Sequence, residues 1–273
     1  MIYQYLPPAP ALAEFVRDYL VAHFVFGQQE PVPFKPYSPK PEQTIIFLPR
    51  GSLSVMNPLT GATVSTSAVN ICGQQVSRQN FHISREYLMF RIHFRPGALY
   101  RLLGIPLGEF TDRWFDAGPV ISAEIREVND RLANCTAYEE MIRVAERWLE
   151  GRIRQAKAER HAIDRVASCI LMNPSVSIDW LAGQACLCER QFYRKFTERM
   201  GVSPKLYSRI VRFYKAYQYK ENHPSESWLS VALQSGYADH QHMAKDFREF
   251  ALSSPNLWIS EDNQSPERIL HLE

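Results

Sequence analysis

No apolar run in the chain approaches the roughly 20 residues that a membrane span requires. The N-terminus, Met1-Ile2-Tyr3-Gln4-Tyr5, lacks the basic start and apolar core of a signal peptide. Cysteine is scarce, with five residues at 72, 135, 169, 186 and 188. An odd, scattered set argues against a disulfide framework and for a reducing compartment, so a cytoplasmic location is expected. There is no phosphate-cradling glycine loop, no nucleophile elbow and no paired-carboxylate site, so no enzyme activity and no cofactor are expected. His23, His82 and His93 do not form the paired His-x-His plus Glu pattern of a metal-binding β-barrel, and no metal site is expected either.

What remains is ordinary in bulk and uneven in detail. The chain has 273 residues, 45% of them hydrophobic and 22% charged, which excludes wholesale disorder and suits two domains. The net charge of +2 hides a gradient. Residues 1–151 carry a net of −1 and residues 152–273 a net of +3. Between 186 and 220, nine basic residues face only Glu189 and Glu198. Such an excess is either an electrostatic footprint for phosphate or a solvated basic face.

The first ~40 residues are rich in proline, which rules out long helices there except over 11–20. Short β-like runs follow at 44–48, 52–56 and 87–95, separated by turn residues such as Asn57-Pro58 and Thr60-Gly61. In the last run Phe90, Ile92 and Phe94 alternate with Arg91, His93 and Arg95. An antiparallel sheet or barrel of about half a dozen strands is expected. Helical stripes take over at Ile121, Ile125, Val128 and Leu132, then at Met141, Val144, Ala145, Trp148 and Leu149. They read as core or as a dimer seam. The division expected is a β-rich sensor or dimerisation domain with C-terminal helices at 1–150, a polar linker at 151–160, a helical domain at 161–260 and a tail at 261–273. Leu272-Glu273 is given no structural weight.

The most specific feature is an internal repeat. Ser177-Ile-Asp-Trp-Leu-Ala182 returns fifty residues later as Ser227-Trp-Leu-Ser-Val-Ala232. Ser203-Pro204 returns as Ser254-Pro255. Each unit has the physics of a helix-turn-helix. Ser177 is a good N-cap, with Val176 and Leu181 placed as a hydrophobic staple, and Asp239 is placed to cap the later helix. Ala182 and Ala232 admit a close helix crossing, and Gly236 can take the positive φ of a tight turn. Phe192 and Phe196 point inward, which turns Arg190, Gln191, Tyr193 and Arg194 outward. Met243 and Phe247 likewise leave His240, Gln241, His242 and Lys245 outward. Long polar side chains at the start of an exposed helix are what reading a major groove requires. Leu206 to Glu221 reads as one joining helix, roughly 24 Å long. Arg209, Arg212 and Lys215 on it are candidate phosphate contacts.

These residues resemble the AraC/XylS family of bacterial transcription regulators. The resemblance rests on Ile178 to Phe196, Gly201-Val-Ser-Pro204, Tyr207 to Arg212, Gly236 to Phe247 and Ser254-Pro255. It implies a seven-helix DNA-binding domain that contacts bases through the outward residues just named. Three positions depart from the family: Cys186 and Leu252 stand where glycine is usual, and Cys188 replaces the usual N-cap serine. Residues 1–150 resemble the sensor halves of such regulators, often cupin-like barrels followed by dimerising helices. Phe94-Arg95-Pro96-Gly97-Ala98 and Leu102-Leu103-Gly104-Ile105-Pro106 carry that part. The fold class expected is therefore α+β, a cupin-like barrel followed by an all-α double helix-turn-helix.

Arg91, His93 and Arg95 either line the barrel and hold an anionic ligand or form a solvated strand face. Cys186-Leu-Cys188 reads as packed thiols, with redox sensing as the alternative. The function expected is a sequence-specific DNA-binding regulator responsive to a small-molecule effector. Alternatives are a constitutive regulator with an N-terminal scaffold, or a DNA-repair enzyme fused to the DNA-binding module. Partners expected are double-stranded DNA, an effector, a second copy of the chain and, for an activator, RNA polymerase; no membrane is expected.

Overall fold

The computed structural model describes residues 1–272. Ten strands come first: β1 (Ile2–Leu6), β2 (Val16–Val25), β3 (Lys35–Tyr37), β4 (Thr44–Arg50), β5 (Leu53–Met56), β6 (Thr63–Ser65), β7 (Val69–Cys72), β8 (Gln79–Ile83), β9 (Glu86–Phe94) and β10 (Trp114–Asp116). They form two antiparallel sheets, ordered β1-β2-β9-β4-β7-β10 and β3-β8-β5-β6. The stretch 11–20, where proline left a helix open, forms none. Only a single 3-10 turn at Pro10–Leu12 precedes β2. That strand pairs with β9 along nearly its whole length, and this long-range ladder overrides local preference.

Four helices complete the N-terminal half: α1 (Ala98–Leu103), α2 (Ala117–Val120), α3 (Glu124–Ala133) and α4 (Tyr138–Arg154). The stripe of Ile125, Val128, Leu132, Met141, Val144, Ala145 and Leu149 is buried within the chain against the outer face of the larger sheet. Tyr19, Val21, Ile45, Phe47, Phe90 and Ile92 supply that face. The opposite face, with Leu20, Ala22, Ile46 and Met89, meets the smaller sheet. The larger sheet is thus covered on both sides. Arg91 and His93 consequently lie on a buried face, only 4% and 1% exposed, and the solvated-face reading is overturned for both. Arg95, past the strand's end, is exposed and donates to the Ala13 carbonyl.

Seven further helices follow: α5 (Ala162–Met172), α6 (Ile178–Gln184), α7 (Glu189–Met200), α8 (Pro204–Asn222), α9 (Trp228–Gln234), α10 (His240–Phe250) and α11 (Pro255–Asp262). Helix α4 runs into the polar stretch read as a linker, and α11 runs past 260. A short α12 (Pro266–Ile269) ends the described structure. Leu270 and Leu272 pack against the core between the two sheets, so the end of the chain does carry structural weight. Glu273 lies outside the described residues.

Candidate nucleic-acid interface

The repeat folds as two helix-turn-helix units, α6–α7 and α9–α10, joined by α8. Their starts are set by local chemistry. Ser177 accepts from the Trp180 amide, Ser227 from Ser230, Ser203 from Leu206, Ser254 from Leu257 and Asp239 from His242. Each satisfies an amide that the helix leaves orphaned. Cys188 makes no side-chain cap at the start of α7. The Asp239 carboxyl sits below the ordinary range, chiefly because it accepts from the His242 amide.

The two units need left-handed backbone at matching places. Gly236 (φ 83°) fills the turn before α10, whereas Cys186 holds φ 53° in the equivalent turn before α7. Gly201 (φ 84°) ends α7, whereas Leu252 (φ 55°) stands at the corresponding place after α10. Both departures from glycine thus keep the left-handed backbone and add strain. Cys186 and Cys188 are exposed free thiols, which corrects their reading as packed ones.

Phe192, Phe196, Met243 and Phe247 are fully buried. Arg190, Gln191, Arg194, His240, Gln241, His242 and Lys245 are exposed, while Tyr193 is half-buried against the core of the first unit. His242 also bonds the Asp239 carboxylate at 2.9 Å. A groove of about 470 Å³ runs between the units, lined by Lys205, Arg209, Arg212, His242 and Lys245. Lys205 was not singled out from sequence; its signal was exposure in the first turn of α8.

Three candidate phosphate ligands are committed within the protein. Arg209 donates to Asp246 at 2.7 Å and Glu249 at 2.6 Å, and covers the Phe250 ring. Its charge is thereby matched by two carboxylates, and it ties α8 to α10. Arg212 donates to the Gly236 carbonyl at 3.3 Å and lies over Tyr237. Lys215 donates to the Met172 carbonyl at 2.5 Å and lines a different cleft; burial lowers its pKa.

That second cleft, about 510 Å³, lies between the two halves of the chain. Arg17, Lys35 and Lys40 reach it from the β side, Tyr214, Lys215 and Arg268 from the helical side. Beneath it lies a buried ionic network. His93 stands 2.6 Å from Asp18 and 3.3 Å from Glu42, and Arg91 donates to Tyr37 at 2.5 Å. Burial by itself pushes the Glu42 carboxyl up, but His93, Arg91 and Lys40 together hold it well below the usual carboxylate range. Asp18 is lowered in the same way, against its burial, by His93 and Arg17. Burial pushes the Cys72 thiol up to about 12.

The β-rich half braces both units at corresponding points. Gln43 donates to the Met200 carbonyl at 3.2 Å and Thr111 to Gly201 at 2.8 Å, where α7 ends. Arg78 donates to the Ala251 carbonyl at 2.9 Å, where α10 ends, and pairs with Glu261 at 2.6 Å.

Residues 4–116 match a domain of unknown function (DUF6597), and residues 181–260 match a helix-turn-helix domain. No curated protein matches the chain by sequence. Among solved structures, ToxT from Vibrio cholerae in its P21 crystal form is similar with a TM-score of 0.50 and 11% identity, over 89% of this chain and 98% of that one. ToxT from V. cholerae O395 bound to (E)-4-(8-methylnaphthalen-1-yl)but-3-enoic acid is similar with a TM-score of 0.50 and 10% identity, over 96% and 99%. The likeness is one of fold: two antiparallel sheets followed by a helical region of about seven helices.

Proposed function

On the premise that residues 181–260 are an AraC-type helix-turn-helix domain, we propose that this chain is a DNA-binding transcription regulator whose N-terminal half takes a small anionic effector. The observation that carries the first part is the duplicated exposed face. Arg190, Gln191 and Arg194 head one helix and His240, Gln241, His242 and Lys245 the other, each backed by buried aromatics. Arg190 and Arg194 suit guanine edges, and Gln241 suits adenine. Helix α8, at about 1.5 Å per residue, spans roughly 28 Å between the units, near one DNA turn, so the two faces read successive major grooves. Lys205 and Lys245 take phosphates in the groove between them, with Arg212 beside them.

The effector reading rests on the cleft and on the space between the two sheets that borders it. Arg91, and with it His93 through the shared Glu42 carboxylate, forms a basic floor beneath apolar walls. ToxT binds an apolar carboxylate, and the same ligand class fits these residues. An effector held between the halves shifts how Gln43, Thr111 and Arg78 brace the recognition helices, provided that it binds two arrangements unequally. A second copy of the chain and, for an activator, RNA polymerase are further partners; exposed Trp180, Leu229 and Leu233 offer apolar surface to them. DNA as partner places the chain in the cytoplasm.

The test is titration of the protein onto its own upstream DNA and onto an unrelated duplex at two salt concentrations. Tighter upstream binding that persists at the higher salt supports sequence-specific recognition. Equal, strongly salt-sensitive binding to both duplexes counts against it.

A further inference from the structure

Residues 266–272 occupy the place where the effector is expected. Pro266 and Glu267 line the cavity between the two sheets, together with Leu20, Phe24, Tyr87 and Arg91. Leu270 and Leu272 pack against that same core. With this tail in place the remaining cavity is only about 30 Å³, room for one or two waters. Small-molecule sites measure roughly 300 Å³ and more. The much larger cleft lies directly outside, and Lys35, Tyr37 and Glu267 border both spaces.

Glu267, where the cleft meets the inner cavity, is 1% exposed. Its carboxylate pairs with Lys35 of β3. The hydration that a buried carboxylate gives up offsets much of its ion-pair attraction, so another carboxylate can take its place at Lys35 at small net cost. Further inside, Arg91 is buried, and its Nε has no hydrogen-bond partner among the described residues.

We infer that residues 266–272 are a built-in competitor of the effector: Glu267 holds the carboxylate position at Lys35, Leu270 and Leu272 hold apolar positions, and an apolar carboxylate enters only as the tail leaves. This rests on the reading that the N-terminal half binds an anionic effector. It also gives the effector a lever on the DNA-binding half, because the tail continues from α11, whose Glu261 pairs with Arg78.

The experiment uses the full chain and (E)-4-(8-methylnaphthalen-1-yl)but-3-enoic acid as probe. Calorimetric binding is compared for the natural chain, Glu267→Gln and Leu270→Ser, and hydrogen exchange of the 268–272 amides is followed with and without probe. The expected result is about tenfold tighter binding by each variant, because the open state is more populated. In the natural chain the probe should accelerate exchange at 268–272. Equal affinity in all three proteins with unchanged tail exchange overturns the competitor and leaves the effector site standing. No saturable binding by any of them overturns the effector reading, and the competitor falls with it.

Discussion

Gly97 stands so close to Asp164 that a Cβ on it would lie 2.0 Å from Asp164 Oδ1. The glycine belongs to the N-terminal half and the aspartate opens the first helix of the DNA-binding half. Gly97 also holds φ at 79°. Gly97→Ala therefore combines overpacking with a left-handed alanine, on the order of 3 kcal/mol together. Thermal unfolding should show Tm lowered by several degrees; an unchanged Tm would mean that the two halves do not need this contact.

Asp164 itself receives Arg199 through two bonds, at 2.6 and 2.7 Å, and both side chains are buried. It also accepts from the His161 amide, closing a capping box. Asp164→Ala leaves a buried guanidinium uncompensated and should cost about 3–5 kcal/mol in urea unfolding. A loss below about 1 kcal/mol would show that water reaches Arg199 freely.

The two cysteines before α7 predict gains. Cys186→Gly relieves φ 53° and Cys188→Ser supplies the missing cap, each adding about 1 kcal/mol to stability. Denaturant midpoints of the single and double variants check this, and the effects should add if they act on separate backbone sites.

DNA binding separates readers from braces. Arg190→Ala should weaken binding to the specific duplex by about 1–3 kcal/mol while leaving the unrelated duplex nearly untouched. Lys245→Ala should weaken both and lower the salt slope by about 0.9. Arg209→Ala should chiefly destabilise the fold, since it strands Asp246 and Glu249. If Arg209→Ala instead keeps full stability and loses DNA affinity, the residue contacts phosphate after all.

Acid should loosen the ionic network inside the β-rich half. Glu42 and Asp18 have carboxyls depressed from ordinary values of 4.5 and 3.8, so the folded state binds fewer protons than the unfolded one. Their contribution is present above about pH 4.5 and is lost as pH falls through the depressed folded values. Glu42→Gln should flatten the acid limb of the stability profile measured by circular dichroism. An unaltered limb would assign it to other carboxylates.

Much of the helical half was legible because its signals are local. Caps, inward aromatics and turn residues all lie within a few positions of the elements they set, and the repeat printed them twice. The β-rich half was less so. Val16 to Val25 shows no clean alternation because the larger sheet is covered on both faces, and for the same reason the polar side of β9 turned inward.

The sequence by itself determined two helix-turn-helix units, their starts and their outward side chains, since these depend on contacts between near neighbours in the chain. Only the tertiary structure decided that Arg91 and His93 are buried, that Arg209 braces α10, and that Glu267 meets Lys35 across most of the chain's length. Those outcomes depend on which distant surfaces pack together, and a residue's immediate neighbours carry no record of that.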